Sequence, residues 1–341
     1  MKKILVTGGS GFIGSNFIIN QINNTDNKIF NLDMLTYAGN NENLLSVIDS
    51  DNYSFIKGSI NNNKLVESLF KKFSPDCILN FAAETHVDKS IHSPNSFIDT
   101  NIYGTLCLLQ VSLEYYKSNQ SFRFIHVSTD EVYGSLDKNE IPFTETHPYN
   151  PSSPYSASKA SSDHLVRAWQ KTYGLPTIIS NCSNNYGPYQ NPEKLIPLII
   201  TNCLNEKPLP LYGDGRHIRD WLYVGDHCEA LYKIINEATP GESYNIGGNN
   251  EIKNIDIVTK ICEILDGLRP RNKQSSYINL IKYVQDRPGH DYRYAINSSK
   301  IKNDLNWKPK ESFESGILET IKWYLENEGW WKKIQENPNN Y

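Results

Sequence analysis

The chain has 341 residues, 38% hydrophobic and 21% charged, and its 34 Lys and Arg against 38 Asp and Glu leave a net charge of −4. That length buries a sizeable core and accommodates two domains. The mildly acidic balance excludes a basic nucleic-acid face, and no apolar run approaches membrane-spanning length.

The opening Met1-Lys2-Lys3 is basic, but the apolar run Ile4-Leu5-Val6 soon meets Thr7-Gly8-Gly9. It is too short for the apolar region of a secretory signal, so a cytoplasmic location is expected. Cys77, Cys107, Cys182, Cys203, Cys228 and Cys262 are scattered, with no Cys-x-x-Cys among them. They read as small buried hydrophobes in a reducing compartment, and no metal is expected.

Short apolar runs predict strands at 3–7, 28–33, 53–57, 77–81, 123–128 and 177–182. Helix-length amphipathic stretches lie between them at 13–23, 64–73, 97–117 and 155–173. This alternation predicts an α/β fold, a Rossmann-type doubly wound parallel sheet with helices on both faces. Ile4-Leu5-Val6 and Cys77-Ile78-Leu79 are apolar throughout, as strands buried on both sides must be. Beyond Cys182 the chain turns rich in proline and glycine (Gly187, Pro188, Pro192, Pro197, Pro208, Pro210), which reads as turns and loops. A helix at 254–265 and an aromatic amphipathic segment around Trp323 follow. The expected organisation is a dinucleotide-binding domain over 1–182, to which 221–248 returns. A smaller C-terminal substrate domain is expected from 183–220 and 249–341.

The first functional signal is Gly8-Gly9-Ser10-Gly11-Phe12-Ile13-Gly14, directly after the first strand and opening the first helix. Glycines suit this turn because it is tight, a pyrophosphate must approach the backbone, and the helix packs closely on the strand. The helix start adds free N–H groups and a positive dipole end. Asp33 ends the second strand, where a carboxylate can accept hydrogen bonds from a ribose diol and would repel the extra phosphate of NADP. The pattern points to NAD.

Tyr155 and Lys159 stand four apart near the start of a long helical pattern and share one of its faces. A phenol titrates near 10, and bringing it to about 7 takes roughly 4 kcal/mol of differential stabilisation. A neighbouring ammonium and a cationic nicotinamide are the expected sources. Glycine loop, Tyr155 and Lys159 together resemble the short-chain dehydrogenase/reductase superfamily, in particular its extended members that act on nucleotide-sugars.

Two adjacent carboxylates, Asp130 and Glu131, follow Ser128-Thr129 where the fifth strand ends. Ligands of open parallel sheets bind at the carboxyl ends of strands, which places both acids toward the site. Alcohol oxidation needs only the tyrosine. A paired acid and base suit a reaction that also moves a C–H proton and expels hydroxide.

With this pair, the chain resembles the dTDP-glucose 4,6-dehydratase family along nearly its whole length. The resemblance is carried by NLDMLTYAGNN from Asn31, AAETHVDKSI from Ala82, STDEVYG from Ser128 and NCSNNYGPY from Asn181. PEKLIP from Pro192, RDWLYV from Arg219, YNIGG from Tyr244 and DRPGHD from Asp286 continue it. The resemblance implies oxidation of the glucose at C4 by NAD with Tyr155 as base, then loss of water across C5 and C6. Glu131 would take the C5 proton and Asp130 would protonate the leaving C6 hydroxyl. Hydride then returns to C6, and Thr129 binds the C4 hydroxyl.

The resemblance further implies a cofactor site of Gly8, Gly9, Gly11, Phe12, Ile13, Gly14, Asp33, Leu35, Thr36, Ser59, Ile60, Ala82, Ala83, Thr100, Tyr155, Lys159 and Asn185. Ser59 stands where the family usually has Asp. For the nucleotide-sugar it implies Thr85, Thr129, Asn184, Lys194, Leu195, Pro210, Tyr212, Arg219, Asn254, Arg287 and His290, and it implies a homodimer through the helices at 97–117 and 155–173. His86 and Asp88 lack a third ligand in sequence, so structural hydrogen bonding is expected of them. The rival readings are a nucleotide-sugar 4-epimerase or UDP-glucuronate decarboxylase, which have less need of the acid pair, and a non-catalytic NAD-binding regulator.

Overall fold

Successive side chains of a strand point to opposite faces, so Ile4, Leu5 and Val6 demand apolar partners on both sides. The computed structural model, which describes residues 1–271, 275–286 and 288–336, provides them. The strands begin with β1 (Lys3–Thr7), β2 (Lys28–Asp33), β3 (Tyr53–Lys57) and β4 (Cys77–Asn80). β5 (Arg123–Thr129), β6 (Thr177–Cys182), β7 (Asn184–Tyr186) and β8 (Leu209–Tyr212) follow. β9 (Ile218–Tyr223), β10 (Ser243–Ile246), β11 (Glu251–Lys253) and β12 (Ile281–Val284) complete the described strands. The helices are α1 (Phe12–Asn24), α2 (Asn63–Phe73), α3 (Val87–His92), α4 (Asn95–Phe97), α5 (Thr105–Tyr116) and α6 (Pro154–Tyr173). After them come α7 (Leu195–Leu204), α8 (Val224–Glu237), α9 (Asn254–Leu268), α10 (Ser299–Leu305), α11 (Phe313–Glu326) and α12 (Glu328–Glu336).

Seven strands form one parallel sheet in the order β10-β6-β5-β4-β1-β2-β3. Ile4 and Val6 pack against α1 and α8 through Phe17, Ile18, Leu231 and Ile234. Leu5 faces the other way, toward Val66 and Leu69 of α2 and Leu108 and Leu109 of α5. Each such side chain contributes about 1.5–3 kcal/mol by leaving water. Order reverses between β1 and β4, the switch point at which doubly wound sheets open a crevice.

A second core gathers Ile199 and Ile200 of α7, Ile257 and Ile261 of α9, Ile321 of α11 and Trp331 of α12. The 183–220 stretch, read as turns from its prolines, carries β7, α7, β8 and the start of β9. Pro197 sits in the first turn of α7, where its missing N–H costs nothing, and Pro210 sits in β8, which among the described residues pairs only with β12.

The helix expected over 97–117 is also interrupted. Ile98–Gly104 winds as a π-helix before α5 begins. That wider turn directs Asn101 inward, where its amide bonds both the N–H and the C=O of Glu84. It also brings Gly104 against Ile60, whose side chain a Cβ would meet at 2.5 Å. Among the described residues no helix is long and apolar enough to cross a membrane.

Candidate active site

The turn after β1 is built so that only glycine fits. Gly8 has φ +71°, and a Cβ there would lie 2.7 Å from the Ala82 nitrogen. One on Gly14 would lie 2.5 Å from the Gly8 carbonyl oxygen. Gly11, at the N-cap of α1, meets nothing nearer than 3.3 Å and faces the crevice. Ser10 N donates to one Asp33 carboxylate oxygen at 2.9 Å and Leu35 N to the other at 2.8 Å. Burial raises the Asp33 pKa, and these two bonds oppose the rise.

Gly8, Gly11, Phe12, Ile13, Gly14, Asp33, Thr36, Ser59, Ile60, Ala82, Ala83, Thr100 and Asn185 all line one cavity of about 320 Å³. Gly9 and Leu35 stand behind the wall. A Cβ on Gly9 would strike the Asn31 side chain at 2.4 Å, so that glycine serves packing. Leu35 takes a left-handed φ of 56° that lets its N–H reach Asp33. The Ser59 hydroxyl accepts from Asn61 N at 3.1 Å.

Tyr155 and Lys159 line the same cavity. They are fixed by a well-formed helix start: Ser153 and Ser156 cap each other's backbone and Pro154 occupies the first turn of α6. Tyr155 is 8% exposed and lines the cavity beside Thr129. Burial first, then Glu131, Cys182 and Asp130 hold its pKa well above the usual phenol value. The Lys159 ammonium, 4% exposed, donates to Val127 O at 2.8 Å and lies 3.5 Å from His126 Nε2. Burial lowers the Lys159 pKa, and Asp163 opposes this.

Thr129 caps a 3-10 turn, Asp130–Tyr133, by accepting from Glu131 N at 3.3 Å. This turn sets both acids on the cavity wall. Asp130 is 2% exposed; burial, then Glu131, then Asp220 push its pKa well up, against Arg219. Its folded pKa lies above the unfolded one, so the native state keeps a proton that the unfolded chain releases above about pH 4. Folding is therefore penalised increasingly from that pH up to the folded pKa. Asp130→Asn removes the penalty, and its melting temperature should exceed the parent's by roughly 1–2 °C at pH 8 per kcal/mol regained. The gap should close toward pH 4 in thermal scans; a gap independent of pH counts against a protonated Asp130.

Of the residues expected to hold the nucleotide-sugar, Thr85, Thr129, Asn184 and Lys194 line the cavity. Lys194 Nζ donates to Thr85 O at 3.1 Å. Leu195 begins α7 and packs into the second core. Pro210 and Tyr212 on β8, Arg219 on β9, Asn254 at the start of α9, and His290 lie outside the cavity wall. Tyr212 is 39% exposed and meets His290 edge-on at 6.1 Å. Arg219 donates to Asp291 O at 2.9 Å and lies 4.2 Å over the Tyr294 ring. Arg287 lies outside the described residues.

Folding brings His217, Asp286 and His290 together, which their separation in sequence conceals. Asp286 pairs with His290 Nδ1 at 2.6 Å and His217 Nε2 at 3.2 Å, while the two rings stack at 3.8 Å and 18°. Near-parallel rings do not aim their lone pairs at one point, so the arrangement suits hydrogen bonding to the carboxylate better than a shared metal.

His86 meets Glu193 at 3.4 Å and accepts from Lys89 N. Glu193 itself lines the cavity, as do Glu84, Cys182, Gln190 and Asn191, none of them expected from sequence. The charged Glu193-Lys194 pair directly before the apolar α7 was the one usable signal.

A family model described as GDP-mannose 4,6 dehydratase matches residues 5–320. The dTDP-glucose 4,6-dehydratase of Neisseria meningitidis serogroup B is 54% identical, over 98% of this chain and 96% of that protein. The crystal structure of dTDP-glucose 4,6-dehydratase from Bacillus anthracis in complex with NAD superposes with a TM-score of 0.87 at 49% identity, covering 98% of this chain and 100% of that one. The enzyme of that name from Streptomyces venezuelae, with NAD and dTDP bound, gives 0.90 at 42% identity, covering 97% and 99%.

Proposed function

From the premise that this chain belongs to the dTDP-glucose 4,6-dehydratase family, we propose that it converts dTDP-glucose to dTDP-4-keto-6-deoxyglucose and water, with NAD as a recycled cofactor. The observation that carries this reading is one cavity wall: Tyr155, Thr129, Asp130 and Glu131 share it with the glycine loop. The crevice fits NAD, because Gly11 faces it where a side chain would intrude and Asp33 ends β2 beside it. The N–H groups at the start of α1 would hold the pyrophosphate and Asp33 the adenosine ribose, at the expense of NADP. The chemistry NAD supplies when bound is a reversible loan of hydrogen with its electron pair, from C4 and back to C6.

The chain's own residues move the protons. Tyr155 takes the C4 hydroxyl proton, with Thr129 orienting that hydroxyl. The C4 ketone acidifies the C5 hydrogen, which Glu131 removes. Asp130, kept protonated by burial, gives its proton to the C6 hydroxyl as it leaves. Lys159 places buried positive charge one turn from Tyr155 on the same face of α6. Thr85, Asn184 and Lys194 hold the sugar end, and Arg219, Arg287, Tyr212 and His290 the nucleotide end, where guanidinium groups suit a pyrophosphate.

This makes the protein a hydro-lyase. Exposed Ile98 and Tyr103 before α5 and Tyr173 at the end of α6 support a homodimer through those helices. Six unpaired, buried cysteines support a reducing, cytoplasmic setting. Mass spectrometry of dTDP-glucose after incubation with the protein and NAD tests the reading. Loss of one water is expected, whereas a product of unchanged mass would favour a 4-epimerase.

A further inference from the structure

The residues that shape the adenosine end of the crevice are tied to an element distant in sequence. Ser10 in the glycine loop accepts at its carbonyl from Asn40 N at 2.9 Å and from the Asn43 side-chain amide at 3.0 Å. Its hydroxyl donates to Asn41 Oδ1 at 2.8 Å. Residues 40–43 therefore hold the glycine loop, and the segment just before them supplies Met34, Thr36, Ala38 and Gly39 to the cavity wall.

Asn43 has a second partner. Its side-chain oxygen accepts from the Trp330 indole N–H at 2.8 Å, across a sequence separation of 287. Lys333, one turn further along α12, forms an ion pair with Glu42. The helix presenting these two groups is anchored from behind, because Trp331 is fully buried and donates to Tyr324 O at 2.9 Å. The Trp330 ring is held by Trp323 at 5.1 Å and Tyr189 at 6.0 Å.

We propose that α12 is a cofactor-retaining latch: Trp330, through Asn43 and Ser10, and Lys333, through Glu42, hold the adenosine-side loop closed over bound NAD. Trp330 is not on the wall of the crevice, so it is a positioning residue. The latch rests on the reading that NAD occupies this crevice. It also makes sense of it, since a cofactor restored in every cycle gains nothing by leaving.

Trp330→Phe keeps an aromatic side chain between Trp323 and Tyr189 and removes the indole N–H donor with the pyrrole half of the ring. Release of NAD from the purified holoprotein, followed by displacement with fluorescent etheno-NAD, should accelerate roughly fivefold, in line with loss of one neutral hydrogen bond. Lys333→Met alters only an exposed side chain, should add about twofold, and cannot unfold the protein. Turnover at saturating NAD should change less than twofold in both variants. Release rates equal to the parent's, or turnover falling as far as affinity, would overturn the latch. If the parent itself takes up no NAD, the cofactor reading falls and the latch with it; normal uptake by the parent confines any failure to the latch.

Discussion

Tyr155→Phe should lower kcat by roughly 10²–10⁴-fold, the usual contribution of a positioned acid–base group. The substitution removes one oxygen. The ring remains buried, packed edge-on to Phe97 at 6.4 Å, and the capped start of α6 is untouched. What disappears is the acceptor for the C4 hydroxyl proton, without which C4 cannot become a carbonyl. The KM for dTDP-glucose should change little, because the hydroxyl acts on a proton in flight more than on the bound sugar. NADH absorbance in a single turnover should therefore stay at baseline in this variant. The raised pKa of the Tyr155 phenol gives a companion observation. Burial, Glu131, Cys182 and Asp130 all oppose its ionisation, so kcat should rise with pH until the phenol of the NAD-loaded protein has titrated.

Glu131→Gln should separate oxidation from elimination. Tyr155 is intact, so NADH should still form on adding dTDP-glucose, yet exchange of the C5 hydrogen with deuterated solvent should drop by roughly 10²–10⁴-fold. NMR of the recovered sugar reads this directly, and undiminished exchange would remove Glu131 from the role of base. Asp130→Asn makes the contrast. It should leave C5 exchange running while dehydration stalls, because an amide cannot deliver the proton that the departing C6 hydroxyl requires. Neighbours in sequence, the two acids differ in surroundings. Asp130 is enclosed and charged only at a cost, whereas Glu131 is partly open to the cavity.

The central sheet was legible because its strands are buried on both faces and so read as unbroken apolar runs, as in Ile4-Leu5-Val6. The glycine loop was legible for a steric reason: positions 8 and 14 admit no Cβ, and the sequence must say so. What local pattern could not show is what depends on contacts between distant segments. The π-helix at Ile98–Gly104 answers to Asn101 reaching Glu84, which no periodicity records. The direction of the Lys159 ammonium is set by a carbonyl on β5, so its spacing from Tyr155 identified the shared face without fixing what the charge acts on. In the 183–220 stretch prolines read as breakers, yet Pro197 occupies the first turn of a helix and Pro210 a strand of a two-stranded sheet, positions where a missing N–H costs little. The bond from Trp330 to Asn43 had no sequence signature at all.

Turnover of dTDP-glucose carrying deuterium at C4, in ordinary water, tests the central claim most directly. If Tyr155, the acid pair and bound NAD work within one closed crevice, the product should carry the label on C6 of the same sugar. Label washed into solvent, or found again at C4 of an undehydrated sugar, would contradict the account.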